Sequence, residues 1–436
     1  MNLLFANDRR GAYPPSLYAD QNDPLPPFPA LRGEAGADVV VVGAGYTGLS
    51  AALTLARAGR SVVVLEAQRV GFGASGRNGG QLGSGQRLDI GDLEKLAGKP
   101  TARRLWDMAE EAKALTRAYA AEAGVTVHPG VAHAARTAAE VTHARHNAER
   151  LARDYGYDRI EPLDRAGMQA LVRSPLYRGG DIDRGAGHLD PLALALGMAR
   201  LARDAGARIH ELSHVHAIRH AQRAGGKTIV QTGTGRILCD QVILAANGYL
   251  GHLDMGIAAR VMPINNYIVA TDPLGDRAEE ILAENVAVHD TRFVVNYWRL
   301  SQDRRLVFGG GETVGYRFPR DIAATVRKPL ETVYPQLAGV RITHAWGGTL
   351  AITRSRMPLF ARPAPNCLSA SGFSGHGVAL ANLAGKLMAQ AVNGQVEGFD
   401  TMAALPARPF PGGVALRWPM LVAGMGWYSL RDRLGV

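Results

Sequence analysis

Apolar positions are densest between Asp38 and Glu66. The run Val39 to Val42 has the length and composition of a strand buried on both faces, and Gly43-Ala44-Gly45-Tyr46-Thr47-Gly48 follows it directly. An Ala/Leu-rich stretch to about Arg57 predicts a helix, and Ser61 to Leu65 predicts a second strand that ends on Glu66. Residues from about Asp92 to Arg153 carry helical periodicity, interrupted by a strand-like stretch near Val125 to Ala134. His188 to Gly206 reads as a helix capped by Asp190, opened by Pro191 and ended by Gly206. Strands are expected from Arg208, near His214 to Arg219, near Thr228 to Thr232, and at Gln241 to Ala245, the last running into Asn247-Gly248. Val261 to Thr271, Phe293 to Leu300 and Arg305 to Gly309 suit an antiparallel sheet. Cys367 to Phe373 predicts a strand, Ser374-Gly375-His376-Gly377 a turn, and Val378 to Val392 a helix.

The first of these units has the parts that dinucleotide binding requires. Gly43 permits a tight turn, Gly45 lets the backbone approach a pyrophosphate, and Gly48 lets the helix pack on the strand. The helix start offers free N–H groups and partial positive charge to phosphates. Glu66 is placed to accept from a ribose diol and would repel a 2′-phosphate. Beyond it, seven glycines fall within the fifteen residues Gly71 to Gly85, around Arg77 and Asn78. That density marks either backbone that approaches a ligand closely or a flexible lid.

Composition adds exclusions. With 436 residues, two domains are expected. Apolar content of 47% and charged content of 20% describe an ordinary globular chain. The net charge of +10 is carried by arginine, since only six of the 49 basic residues are lysines, and it is spread along the chain. No basic cluster interleaved with aromatics suggests nucleic-acid binding. Cys239 and Cys367 stand far apart, so neither a disulfide framework nor a zinc site is expected, and no metal is predicted. Residues 1–36 form a Pro-rich arm, laid over the surface or disordered, with no signal-peptide pattern. No apolar window reaches 18 residues, so a cytoplasmic protein without stable membrane insertion is expected. Leu416 to Tyr428 reads as an interfacial helix or a segment packed on the body; Pro419 and the glycines favour packing.

Taken together, Val41 to Gly48, Glu66, Phe72 to Gln81, Val242 to Gly248 and Gly372 to Gly377 resemble the glycine-oxidase and D-amino-acid-oxidase superfamily of FAD enzymes. Within it, Gly45 to Ser50, Val63 to Ala67, Gly71 to Gln81, Gly375 to Gly377 and Tyr428 to Val436 resemble the γ-glutamylputrescine oxidase group. The resemblance implies an α/β (α+β) fold, with a Rossmann-like FAD-binding domain interrupted by an antiparallel-sheet substrate domain. The FAD domain would take residues 37–90, 160–250 and 345–396, the substrate domain 91–159 and 251–344, and a tail at 397–436 would pack on the body. It further implies FAD contacts at Gly43, Gly45, Tyr46, Thr47, Gly48, Glu66, Ala67 and Val215. Others follow along the loop at Ser75, Arg77, Asn78, Gly79, Gly80 and Gln81, at Ala246 and Gly248, and at Gly375, His376, Gly377 and Val378. The last turn would aim a helix start at the flavin pyrimidine edge, where reduced flavin carries negative charge.

The implied activity is oxidation of an amine by hydride loss to the flavin, with oxygen as acceptor and a small-molecule amine as partner. Sarcosine-type relatives tether the flavin through a Cys near Gly348; none lies there, so FAD is expected to be non-covalent. They also hold the substrate carboxylate with cations at positions that correspond to Gln81 and Ala379. Their loss favours a substrate whose charged head lies several bonds from the reacting carbon, such as γ-glutamylputrescine. An oxidase or quinone-linked dehydrogenase of a cyclic or N-methyl amino acid, such as pipecolate or sarcosine, stays open as the alternative. Tyr267, Tyr297, Trp298 and Arg299, with Gln81, are the candidate substrate shell, Arg299 facing the distant carboxylate.

Overall fold

The computed structural model describes residues 2–221, 226–313 and 315–414, with Leu416, Pro419 and Val422. The segment Gly33–Val42 forms the centre of one sheet, because its valines are buried on both faces. Val62–Leu65 and Gly235–Leu244 flank it in parallel, and Arg208–His210 and Cys367–Ser371 extend the parallel sheet on either side. Leu359–Ala364 adds an antiparallel edge, and the hairpin strands Val215–Arg219 and Thr228–Thr232 lead into Gly235–Leu244. Val42 is the register partner of both Leu65 and Leu244, and Leu244 of Ser369, so the carboxyl ends of four parallel strands lie level. In an open α/β sheet that edge is where ligands bind.

Two helices start from this edge. Tyr46–Arg57 follows the glycine turn and Gly377–Val392 follows the strand Cys367–Ser371. They cross at Gly385, where a Cβ would lie 2.3 Å from the Thr47 carbonyl oxygen and 2.7 Å from the Ala51 nitrogen. Beside it the Ser50 hydroxyl donates to the Asn382 carbonyl at 2.6 Å, and Asn382 Nδ2 donates to Thr116 Oγ1 on Lys99–Ala123. Only a glycine permits that approach, and the polar links fix its register.

The second sheet runs in the order Ile342–Ile352, Met262–Pro273, Arg305–Thr313, Tyr297–Leu300, Ala287–Asp290, His128–Ala135, Gly179–His188, Gln81–Leu82, with Ile160–Leu163 also paired to Gly179–His188. It is antiparallel except where Ala287–Asp290 runs parallel to His128–Ala135. Its two faces have separate cores. Ile268, Ala270, Val307 and Trp346 join the core of the first sheet's helices, while Tyr267, Trp298 and Phe308 pack with Val326 and Leu330 of Ile322–Val333.

Several boundaries differ from the expected ones. Ile160–Leu163 and Gly179–His188, expected on the FAD side, pair in the second sheet, as do residues 345–352. Lys99–Ala123, expected with the substrate domain, buries Ala102, Leu105, Ala109 and Ala112 in the first sheet's core. The reason is its amphipathic stripe, which packs on the helices Gly377–Val392 and Pro191–Asp204. The strand expected from Phe293 begins at Tyr297, because Asp290 closes the intervening loop by accepting from the Arg292 and Asn296 backbones. The N-terminal arm is laid over the body and partly buried: Leu17 and Tyr18 enter the core. Beyond it, Glu397–Ala403 packs Phe399 against Phe360. Most of the Leu416 to Tyr428 stretch lies outside the described residues. Among those residues, no helix is long and apolar enough to cross a membrane.

Substituting Gly385→Val drives side-chain atoms into the Thr47 backbone. We expect a loss of about 3 kcal/mol or more of stability, as for overpacked cores, read as a lower denaturation midpoint, whereas Gly394→Val on the surface, at positive φ but with open space around it, costs less.

Candidate active site

The glycine turn is built by close approach. Gly43 has φ +108°, and a Cβ there would stand 2.8 Å from the Ala245 carbonyl oxygen, so this turn presses on the segment Ala245–Ala246. A Cβ on Gly48 would lie 1.9 Å from the Gly43 carbonyl oxygen, which fixes the helix start on the turn. At Gly45 the missing Cβ makes room for Ser75, whose hydroxyl accepts from the Tyr46 N–H at 3.0 Å. Tyr46 turns away and donates its hydroxyl to the Pro191 carbonyl, and Thr47 is buried. Gly248 begins beside the Leu350 carbonyl, and Asn247, at φ +46°, accepts from the Gly372 N–H at 2.9 Å.

Glu66 sits at the end of Val62–Leu65 and accepts from two backbone donors, Ala44 N–H at 2.8 Å and Gln68 N–H at 2.9 Å, one on each oxygen. Each oxygen keeps a second lone pair. Burial raises its pKa to about 7, against the lowering pull of those N–H bonds. Val215 lies in the apolar cluster of Val42 and Leu65, and Ala67 is half-buried beside Glu66.

From here the loop crosses to the second sheet. Gly71 N–H donates to the Ala44 carbonyl, and Gly76 would carry a Cβ 2.3 Å from the Gly71 oxygen. Arg77 is almost wholly buried over the Phe72 ring; its Nε donates to the Phe72 carbonyl and its Nη1 to Asp8 and the Gly347 carbonyl. Trp346 Nε1 donates to the Arg77 carbonyl at 3.0 Å. Asn78 closes the loop on itself through Ala74, Ser75 and the Gly80 N–H. Gly79 faces the Tyr297 ring, to which a Cβ would approach within 2.7 Å, and Gly80 faces the Leu189 carbonyl. Gln81 donates to the Val288 carbonyl at 2.7 Å.

The loop then reaches the second helix start. His376 rests against Gly83 and its Nε2 bonds the Gly85 carbonyl at 3.1 Å. Burial and the charge of Arg87 lower its pKa to about 4, so the ring is neutral at pH 7. Arg87 Nε donates to the Ser374 carbonyl at 2.9 Å; Ser374 in turn receives the Thr353 N–H, which places the turn bearing Arg356 alongside. Burial and then the Arg356 charge lower the Arg87 pKa. Among the described residues neither arginine has an acidic partner, and Asp89 is bonded to His143. Gly375 is exposed at φ +87°, and Gly377 and Val378 open the helix behind it.

The candidate substrate shell divides by strand alternation. Tyr297 lies on the face toward the glycine loop, its ring between Gly79 and Gly309 and its hydroxyl on Asn266 Oδ1. Trp298 and Tyr267 point the other way, fully buried against Phe308 and Phe318, so they back the site and do not line it. Arg299 shares the Tyr297 face, but its donors go to the Gly79 and Leu300 carbonyls and the Tyr18 hydroxyl, so it pins the loop and does not await an anion. Sequence reasoning passed over Arg87, Arg356, His133 and His289. His289 could have been found: in Ala287–Asp290 it alternates with Val288 and pairs across the ladder with Tyr297.

These residues fit a dinucleotide: a cradle that side chains would fill, an acid at the strand end, and two helix starts on one sheet edge. Comparison with known proteins agrees. The profile described as DAO, FAD dependent oxidoreductase, matches residues 38–391. The gamma-glutamylputrescine oxidoreductase of Escherichia coli (strain K12) is 42% identical over 97% of this chain and 99% of its own length. A "Probable oxidoreductase OrdL" of Rhizobium meliloti (strain 1021) is 41% identical over 94% of this chain and 95% of its own. Among solved structures, glycine oxidase from Geobacillus kaustophilus superposes with a TM-score of 0.69 at 21% identity, over 86% of this chain and 100% of that one, which shows the shared fold.

Glu66 supplies a pH test. In the FAD-free protein its raised pKa means that stability declines as pH rises from about 4.5 to about 7, because the unfolded carboxyl ionises first. Ribose hydroxyls, were they to donate to the ionised carboxylate, would reverse that preference. FAD affinity is therefore expected to strengthen from pH 6 to pH 8 in titrations of the apoprotein. In Glu66→Gln the pH slope vanishes and binding at pH 8 is weaker by about 10-fold, a charge-assisted bond lost.

Proposed function

The chain belongs to the DAO family of FAD-dependent oxidoreductases, and on that premise we propose that it oxidises γ-glutamylputrescine. The products are γ-glutamyl-aminobutyraldehyde, ammonia and, with oxygen as acceptor, hydrogen peroxide. The observation that carries this reading is the similarity, end to end, to a gamma-glutamylputrescine oxidoreductase.

In this reading Gly43, Gly45, Tyr46, Thr47, Gly48, Glu66, Ala67 and Val215 hold the ADP half of FAD. Ser75 to Gln81, Ala246 and Gly248 line its middle, and Gly375 to Val378 present the helix start to its ring. Bound without a covalent link, FAD supplies the hydride acceptor for the amine-bearing carbon. Both thiols support that absence of a link, since Cys239 and Cys367 are buried in strands of the first sheet and burial pushes each up to about 12.

The chain's own residues do the rest. Tyr297 offers an aromatic wall beside the loop for the methylene chain and the amine. No cation stands at Gln81 or Ala379, so nothing favours a carboxylate next to the reacting carbon. Arg356, without an acidic partner among the described residues, offers a guanidinium for the glutamyl carboxylate at the far end of the substrate.

Anaerobic mixing of the yellow protein with γ-glutamylputrescine, putrescine, pipecolate and sarcosine tests the assignment. Fastest bleaching by γ-glutamylputrescine, with peroxide formed when air is readmitted, is the expected result. Bleaching by pipecolate or sarcosine alone would overturn it, and reoxidation by a quinone but not by air would replace oxygen as the acceptor. Arg356→Gln is expected to raise the KM for γ-glutamylputrescine by about 10-fold, the value of a bond to a charged group, while leaving that for putrescine unchanged.

A further inference from the structure

On the face of the second sheet that meets the glycine loop, His289 carries a buried ring nitrogen with no hydrogen-bond partner among the described residues; His188 Nδ1 is another, but that ring is stacked on His128 and held by the Asn285 carbonyl. His289 lies in Ala287–Asp290, directly across the ladder from Tyr297. Its Nδ1 is buried and makes no hydrogen bond among the described residues. Its other strand neighbour is His133, whose ring lies 4.9 Å away at 31° and whose Nδ1 stands 3.5 Å from Asp181 Oδ2. Arg87 and His376 also lie within electrostatic reach of it.

Charge decides which form of His289 is present. Burial works against a charged His133, but the hydrogen bond and charge of Asp181 outweigh it and raise the His133 pKa. For His289, burial comes first, and the charges of His133 and Arg87 add to it, so its pKa falls well below the usual value. His289 is thus a neutral imidazole. An unpaired buried acceptor of this kind is costly unless a ligand satisfies it. The ligand that fits is a small hydrogen-bond donor.

We propose that His289 receives the reacting amine of the substrate, its ring nitrogen hydrogen-bonding the amine nitrogen beside Tyr297. This rests on the substrate reading above. The positive charge beside His289 disfavours a second cation there, and it is this charge that holds the amine as the free base. That is the form whose lone pair assists loss of hydride from the adjacent carbon. His133 and Asp181, reaching toward the surface behind it, act on the substrate only by keeping His289 uncharged and in place.

The test compares wild type, His289→Asn and His289→Leu, each as the FAD-loaded protein, by anaerobic stopped-flow reduction with γ-glutamylputrescine. Asn retains an acceptor where Nδ1 stood; Leu fills the space without one. His289→Leu is expected to lower the limiting rate of flavin reduction by about 10- to 30-fold, with His289→Asn within 3-fold of wild type by the same hydrogen-bond argument. His289→Ala should match the Leu value, and melting temperature and flavin spectrum should be alike in all. A His289→Leu rate equal to wild type, or equal losses in Leu and Asn, overturns the proposal. If wild type itself is not reduced, the substrate reading has failed, and the comparison is made with whichever amine of the panel does bleach it.

Discussion

The contact on which the rest of this structure depends is the burial of Arg77. Its guanidinium joins the Phe72 carbonyl, the Gly347 carbonyl and Asp8, and its own carbonyl receives Trp346. One side chain therefore ties the glycine loop to the second sheet and to the N-terminal arm. Arg299 repeats the device from the other side through the Gly79 carbonyl and Tyr18. A loop with seven glycines would otherwise lose much conformational entropy on ordering. Two guanidinium clasps, both buried, make it a rigid wall between two helix starts. Buried charges of this kind are tolerated because hydrogen bonds take up most of their donors, although Arg77 Nη2 has no partner among the described residues.

The sheet edge supplies the second half of the arrangement. Level strand ends at Val42, Leu65, Leu244 and Ser369 bring the Gly43 turn, Glu66, Asn247 and the Ser374 turn together. The helix crossing at Gly385 sets the angle at which the two helix starts converge. A separate sheet meets the loop with the polar side chains Asn266, Tyr297, Arg299 and His289. The outer face, with Trp298 and Tyr267, is plain core.

Which parts were legible in the chain follows from the range of the forces involved. The Val39 to Glu66 unit and the turn ahead of Gly377–Val392 rest on local rules, strand hydrophobicity, glycine conformation and helix starts, and those could be read directly. Gly179–His188 was missed because four glycines and two aspartates in ten residues look like a loop; its strand character comes from three neighbours. Within Ile342–Ile352, a Cβ at Gly347 would lie 2.6 Å from the Phe318 ring, so packing, not a turn, selects glycine there. The functions of Arg77 and Arg299 were illegible for another reason: their partners are backbone carbonyls, some more than two hundred residues away, and carbonyls leave no mark in a sequence. Trp298 and Arg299 also show that adjacency in a strand places neighbours on opposite faces.

Charge gives the site its selectivity. On the proposed function, Glu66 would meet the ribose end, and the neutral rings of His289 and His376 would flank the place where the amine reacts. Such a site would favour a substrate that is anionic at one end and uncharged at the other. γ-Glutamylputrescine carries two oxidisable centres, the terminal methylene beside the amine and the glutamyl α-carbon, and the account commits to the first. The most direct measurement is anaerobic flavin reduction with two deuterated substrates, one labelled at each carbon. A primary isotope effect from the terminal label alone is the predicted result. An effect from the α-carbon label, with none from the terminal one, would contradict it and make this an amino-acid oxidase.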